Sequence, residues 1–365
     1  MKNERQRFFA FYKEQSPKNI DLRLIMKKKT LAAFALALTT FLLGACDASN
    51  QKLNFDPNWE LGTLSEATVA SAEELTYSVK FEASSFLQQD YFTVEYCGAN
   101  NSALGEYTTK LEYLTDGTYS YTTTLTMPVK FKIKDGQYKE TTDSIQTQAV
   151  FKKADKTLQP IYSVKTVHCF APNNVAATKL EDAYTEYEYE FRIDYNADLS
   201  GGTLKRTDLS EARTLLDKER YPDGTSSASF SIDGSKYSYL DNEQLLFALR
   251  GLSNTAISSA KTINVYNASL MTVETVSTSP SSSVKTKFNF SLNGADAAEH
   301  EIEYTPVSIK TGNKDSQISH TLWYAKTTNA NNNRYRNVLL KMSVPLHYGL
   351  GEFTYTLKSA NFSAE

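Results

Sequence analysis

The segment TEYEYEFRIDYN, residues 185–196, alternates strictly between apolar and charged side chains. Because successive side chains of an extended chain point to opposite faces, this alternation predicts a β-strand with one aromatic face and one charged face. Its glutamates favour a solvated outer face that resists edge-to-edge association. The apolar face carries Tyr187, Tyr189, Phe191, Ile193 and Tyr195, and the charged face carries Glu186, Glu188, Glu190, Arg192 and Asp194.

The same alternation recurs along most of the chain and predicts at least ten strands. Short connections indicate antiparallel pairing, and the dipeptides Asp116-Gly117, Asp135-Gly136 and Asp233-Gly234 suit hairpin turns. Pro128 cannot donate to a ladder, so it predicts an edge, a bulge or a bend. The alternating segments are residues 75–81, 92–96, 119–125, 129–133, 161–170, 288–292, 302–304, 321–324, 338–344 and 353–357.

Helix signals are scarce. In LDNEQLLFALRGLSN, Asp241 is a good N-cap with Gln244 three residues later, and Gly251 suits the C′ position, which predicts a helix of about ten residues. A weaker, mostly charged candidate covers residues 210–220. The serine-rich residues 276–285 and the asparagine run 329–333 are predicted to be exposed loops.

One short helix cannot cover the apolar faces of so many strands. Leaving a Tyr or Phe in water forfeits about 1.5–3 kcal/mol, so the sheet must pack on another sheet, close into a barrel, or curve around a hollow that the helix and a bound molecule fill. We therefore predict an all-β fold: a large curved antiparallel meander or half-barrel with one short helix, or alternatively two β domains divided near residues 205–228. The candidate apolar ligand face consists of Tyr187, Tyr189, Phe191, Ile193, Tyr195, Leu245, Phe247 and Leu249.

The N-terminal region carries an export signal. Three lysines, residues 27–29, precede an apolar run, residues 31–45, that is too short to span a bilayer. The run ends in Leu43-Gly44-Ala45-Cys46, which resembles the lipobox of bacterial lipoproteins. The resemblance implies diacylglyceryl and acyl (palmitate-type) modification of Cys46, cleavage before it, and a lipid-anchored protein on the extracytoplasmic face of the cell membrane. An ordinary signal peptide and an uncleaved anchor are the alternatives.

This reading divides the chain into segments. Residues 26–45 are the predicted signal peptide, 46–56 a polar tether, and 57–365 a β-rich extracytoplasmic region. A charged region normally opens a signal peptide, so Met26 is the expected start and residues 1–25 are interpreted as an upstream start artefact.

The net charge limits the kinds of molecule that the protein can bind, and the cysteine content limits its possible disulfides. Removing the nine basic and three acidic residues of positions 1–46 from totals of 39 and 42 leaves 30 and 39, a net charge of −9. That surface argues against nucleic acid. After lipidation, Cys97 and Cys169 remain, and in an exported protein they form either one disulfide or a pair of buried free thiols.

The sequence lacks recognisable catalytic motifs. Its four histidines, at positions 168, 300, 320 and 347, show no metal-ligand spacing, and neither HExxH nor GxSxG occurs. We therefore predict no catalytic residue, no metal and no cofactor. The two catalytic carboxylates of a glycosidase are defined by their distance across a cleft and not by their spacing in the sequence. A hydrolase with such a pair therefore stays an alternative.

The order of elements also resembles envelope proteins with curved antiparallel sheets, including the lipoprotein carriers and a related bacterial family of unknown function. Matching pieces are Leu158-Gln159-Pro160, the helix segment DNEQLLFALRGL, and VPLHYGLGEFTYTL with Pro345 and Gly349 before the last strand. The resemblance implies a cupped sheet able to hold an apolar guest. We expect a non-enzymatic lipoprotein that binds an apolar or amphipathic molecule or lipid, or an envelope interaction module whose protein partner the sequence does not name. An importer substrate-binding lipoprotein is a further alternative.

Overall fold

In the computed structural model, the described residues are 72–84, 94–98, 103–132, 136–154, 157–172, 179, 184–209, 225–232, 239–250, 261–268, 272–311, 318–326, 335, 337–346 and 351–362. The predicted signal peptide, Cys46, the predicted tether and the helix candidate at residues 210–220 lie outside them. The same holds for residues 329–333 and for Asp233-Gly234.

The described part of the chain forms seventeen strands and one short α-helix. The helix, α1, spans Leu245–Ala248 and follows a 3-10 turn, Asn242–Gln244. In chain order, β1 to β17 are Ala72–Ala83, Val94–Tyr96, Gly105–Tyr113, Thr118–Lys132, Tyr138–Ala154, Thr157–Pro172, Tyr184–Tyr195, Gly201–Asp208, Thr225–Ser231, Tyr239–Asp241, Lys261–Asn267, Thr272–Pro280, Val284–Leu292, Ala298–Thr311, Ile318–Ala325, Leu339–Pro345 and Gly351–Phe362.

All of these strands belong to one sheet, a mixed β-barrel with additional strands. From β3 to β9, each strand pairs antiparallel with the next, and β1 joins this meander to the C-terminal strands by pairing with both β3 and β17. The strands β13 to β17 form a ring that closes through a short parallel pairing, Ser291–Leu292 with Ser359–Ala360. The predicted all-β class with one short helix is confirmed.

The strand β7, which contains most of the alternating segment 185–196, has the predicted faces. Tyr187, Tyr189, Phe191 and Ile193 are buried, whereas Glu186 is exposed. The turn at Asp116-Gly117 is confirmed as well, because Gly117 has φ +82 and joins β3 to β4 where a residue with a side chain would be strained.

One local prediction is confirmed and one needs correction. Pro128 lies at a local edge of β4, as predicted, between Thr126, where pairing with β3 ends, and Val129, where pairing with β2 begins. A missing donor is tolerated at that gap. The serine-rich segment 276–285 is mostly strand rather than loop: only residues 281–283 separate β12 from β13, because Val276 and Thr278 are buried on the inner face.

The aromatic faces lie against each other and against the segment 239–250, which we call the plug. The plug comprises β10, the 3-10 turn, α1 and the two following residues. The plug packs inside the curved sheet. There the inward side chains of the N-terminal meander and of the C-terminal strands form one apolar core. Phe247 of the plug, for example, lies 5.6 Å from Tyr121 of β4 and 5.5 Å from Phe151 of β5 between ring centroids.

Candidate functional site

The first turn of the plug is fixed by one buried carboxylate. Asp241 Oδ1 accepts a hydrogen bond from the Glu243 backbone N–H at 2.8 Å, which caps the turn. Asp241 Oδ2 accepts from Ser163 Oγ of β6 and from the Tyr195 hydroxyl of β7, both at 2.6 Å. A single side chain therefore holds the plug to two neighbouring strands of the inner wall.

An ion pair continues this contact. Lys165 Nζ, on the inner face of β6, lies 3.2 Å from Glu243 Oε1, and both side chains are almost fully buried. Burial, and then the charge of Glu243, raise the pKa of Asp241 from 3.8 to about 6, although the hydrogen bonds from Ser163 and Tyr195 act in the opposite direction.

The far end of the plug is tied to other strands. Arg250 forms a bidentate pair with Glu73 of β1, at 2.6 and 3.0 Å, and both side chains are buried. Tyr324 of β15 donates to the Leu246 carbonyl oxygen at 2.9 Å. The plug thus joins the N-terminal meander to the C-terminal strands through directional contacts.

The structure places the predicted apolar face in this interior. The β7 members Tyr187, Tyr189, Phe191 and Ile193 are buried, Tyr195 is half-buried, and Leu245, Phe247 and Leu249 belong to the same apolar core. These residues pack within the protein itself, and their role toward a ligand stays a prediction.

Sequence reasoning missed the charged groups of the same wall. Lys165 and Arg206 are the register partners of Phe191 on β6 and β8, and both are buried. The guanidinium of Arg206 lies 4.6 Å from the ring centroid of Tyr189. The alternation of the strands could have predicted this burial. Lys165 is two positions from the buried Val167, and Arg206 is two positions from the buried Leu204, so each cation lies on the inward face of its strand.

A second polar group, which we call the acid–thiol cluster, consists of Asp143, Cys97, Cys169, Tyr96 and Tyr187. The carboxylate of Asp143 accepts the Phe170 backbone N–H at 2.8 Å, just beyond the last paired residues of β5 and β6. Burial raises the pKa of Asp143 from 3.8 to about 7. Its charge in turn helps to raise the pKa of the other four groups, although burial is the largest cause in each.

The two cysteines are free and buried in the structure. Burial raises the pKa of Cys97 to about 12 and places that of Cys169 well above its ordinary value, so neither is a reactive thiolate at neutral pH.

Other chemistry is sparse in the described residues. They contain no group of three or more His, Cys, Asp or Glu side chains that could hold a metal ion. His168 lies on the outer face and contacts Glu186 at 2.7 Å, whereas His320 is buried. No helix in this part of the chain is long and apolar enough to cross a bilayer.

Comparisons with known proteins give no family. No protein-family model and no curated protein matches the sequence. Among solved structures, the chain is similar to a beta-barrel-like protein of the domain of unknown function DUF1849 from Brucella abortus, with 10% identity, a TM-score of 0.46, and coverage of 81% of this chain and 99% of that one. A porin-like protein from Bacteroides uniformis matches with 10% identity and a TM-score of 0.18, over 82% and 99% of the two chains. Neither similarity carries an argument about function.

Proposed function

We propose that this protein is a non-enzymatic lipoprotein, held at the extracytoplasmic face of the membrane by a lipid on Cys46, that binds an amphipathic molecule inside its barrel. The lining of the interior carries the proposal. Phe191 lies between the buried cations Lys165 and Arg206, in a wall whose other buried side chains are mostly aromatic or aliphatic. Apolar surface with a few polar groups at fixed positions is typical of small-molecule sites.

The alternatives find less support. An importer binding protein needs helices on both faces of a parallel sheet, whereas the described strands pair mainly antiparallel around one short helix. For a hydrolase, one pair of neighbouring carboxylates among the described residues is Asp241 and Glu243. Asp241 is engaged by Ser163 and Tyr195, and Glu243 by Lys165, so neither is positioned to receive a substrate.

The anchoring is tested by Cys46→Ser. We expect the unchanged protein to label with palmitate and to sediment with membranes, whereas Cys46→Ser loses the label and becomes soluble, since each buried methylene of an acyl chain contributes about 0.8 kcal/mol to membrane binding. Cys97→Ser, which changes a buried thiol, should keep both properties. Membrane retention of the Cys46→Ser protein would contradict lipid anchoring.

Ligand binding is tested on the non-lipidated Cys46→Ser protein. We expect a fluorescent hydrophobic dye to be taken up saturably and to be displaced by extracted lipids. Tyr138→Ser controls for the outer surface, because Tyr138 is an exposed aromatic residue, and this variant should take up as much dye. Non-saturable uptake in both proteins would favour the envelope interaction module instead.

A further inference from the structure

The carboxamide of Gln244 is a buried polar group that the fold leaves unused. Gln244 is fully buried in the 3-10 turn of the plug, and the turn packs against β5 and β11. Within the part of the chain that the structure describes, neither its Nε2 nor its Oε1 has a hydrogen-bond partner. Buried amides are nearly always hydrogen-bonded, and one that lacks partners at both ends indicates a missing hydrogen-bonding molecule.

The spacing of Asp241 and Gln244 predicts a capping box, in which the glutamine would return a hydrogen bond to the N-cap backbone. The structure forms only half of it. Asp241 caps the turn, and its second carboxylate oxygen accepts hydrogen bonds from Ser163 and Tyr195. Among the described residues, the Gln244 side chain makes no hydrogen bond in return to the backbone of Asp241. Asp241 precedes the turn as its extended N-cap and Gln244 is the last residue of the turn, so the two side chains belong to the same short segment of the plug.

A third atom of the turn has the same character. Asn242 is buried and donates through Nδ2 to Glu243 Oε1 at 3.0 Å, yet its Oδ1 accepts no hydrogen bond from any described residue. The first turn of the plug therefore holds two unused acceptors and one unused donor group within an aromatic interior.

We infer that Gln244 binds the uncharged, hydrogen-bonding head of the guest, a hydroxyl or amide group on an apolar chain. This assignment rests on the proposed function. A carboxamide both donates and accepts, which matches a neutral head that does the same. An anionic head would lie beside the carboxylates of Asp241 and Glu243, and a cationic head would meet the ammonium of Lys165, which is already paired. An ordered water could supply the same hydrogen bonds, and the test separates the two sources.

The test compares three probes that share one chain and differ in the head: monooleoylglycerol, oleate and oleylamine. Calorimetric titration of the Cys46→Ser protein should give the tightest binding for monooleoylglycerol. Gln244→Met keeps the length of the side chain but removes its polar atoms, and should weaken that binding roughly tenfold, as expected for a lost hydrogen bond. Leu246→Met is the matched control, since Leu246 is half-buried in α1, two residues further along the plug, and this variant should bind as before.

The outcomes are distinct. Equal monooleoylglycerol affinity in Gln244→Met and in the unchanged protein, or tighter binding of either charged probe, would overturn the assignment while leaving an interior site. A Gln244→Met protein that loses thermal stability without ligand, with unchanged affinity, would assign the position to water only. If none of the three probes binds saturably to the unchanged protein, the proposed function itself fails. If Gln244→Met does not fold, the affinities of the unchanged protein for the three probes still test the inference. Tightest binding of monooleoylglycerol supports a neutral head group, and tighter binding of oleate or oleylamine contradicts it.

Discussion

Asp143→Asn should make the protein more stable above neutral pH and remove most of the pH dependence of its unfolding free energy. The pKa of Asp143 is raised by burial from 3.8 to about 7 in the folded chain. An acid of this kind favours folding while protonated, so its contribution is complete below 3.8 and is lost as the pH rises through about 7. At ~1.4 kcal/mol per tenfold change, the loss reaches roughly 4 kcal/mol above pH 8. Asparagine keeps the shape and the acceptor for Phe170 without the charge.

Urea unfolding at about pH 5 and about pH 8.5 measures the effect. Because the loss in the unchanged protein grows by ~1.4 kcal/mol per pH unit between 3.8 and about 7, the stability advantage of Asp143→Asn should increase by roughly 3 kcal/mol between these two pH values. The groups around Asp143 are Cys97, Cys169, Tyr96 and Tyr187, whose pKa values are all raised, so they stay neutral over this interval. Asp116→Asn is the control, because Thr118 holds the pKa of that exposed carboxyl below 3.8 and it titrates outside the window. An unchanged slope in Asp143→Asn would refute the assignment, whereas a residual slope near pH 6 would point to Asp241.

Breaking the buried pair of Glu73 and Arg250 should be the most damaging single change at neutral pH. Arg250→Met leaves the Glu73 carboxylate buried without its bidentate partner, at an expected loss of about 3–5 kcal/mol in the free energy of unfolding. The double variant Glu73→Leu with Arg250→Met should recover much of that loss, because no isolated charge remains. A double-mutant cycle in urea provides the measurement.

The exposed pair of Lys287 and Glu299 offers a matched comparison. Its side chains are 64% exposed and 2.8 Å apart, so Lys287→Met should cost no more than about 1 kcal/mol. If Arg250→Met costs as little as Lys287→Met, the plug is not anchored by its terminal arginine.

The period-2 pattern was sufficient for the strands and the fold class, because each strand records in its own sequence which side chains it buries. The β7 face from Tyr187 to Ile193 is the clearest case. The closure of the sheet could not be predicted this way, since the pairing of β1 with β17 and the parallel contact of β13 with β17 depend on residues far apart in the chain.

The polar interior was missed for a related reason. Lys165, Arg206 and Asp143 look like solvated residues when charge alone is considered, and Val164, which looks like core, is only half-buried on the opposite side of β6 from Lys165. At these positions the alternation of the strand decides which side chains are buried. Turning one charged side chain outward would turn every other side chain of that strand to the opposite face as well. The spacing of Gln244 predicts a capping interaction, whereas its carboxamide has no hydrogen-bond partner among the described residues, because the sequence does not show how the turn is oriented in the interior.

The pairing of β1 with β17 has a consequence for folding. Glu73 is the register partner of Phe362, so β1 cannot complete its pairing until a strand almost 290 residues further along the chain is available (362 − 73 = 289). Joining partners this distant requires closing a very large loop, which makes the step slow compared with hairpin formation. Until it occurs, one side of β1 presents unpaired backbone groups that can recruit foreign strands. The folding chain therefore depends on the rapid arrival of β17 at β1 to avoid aggregation.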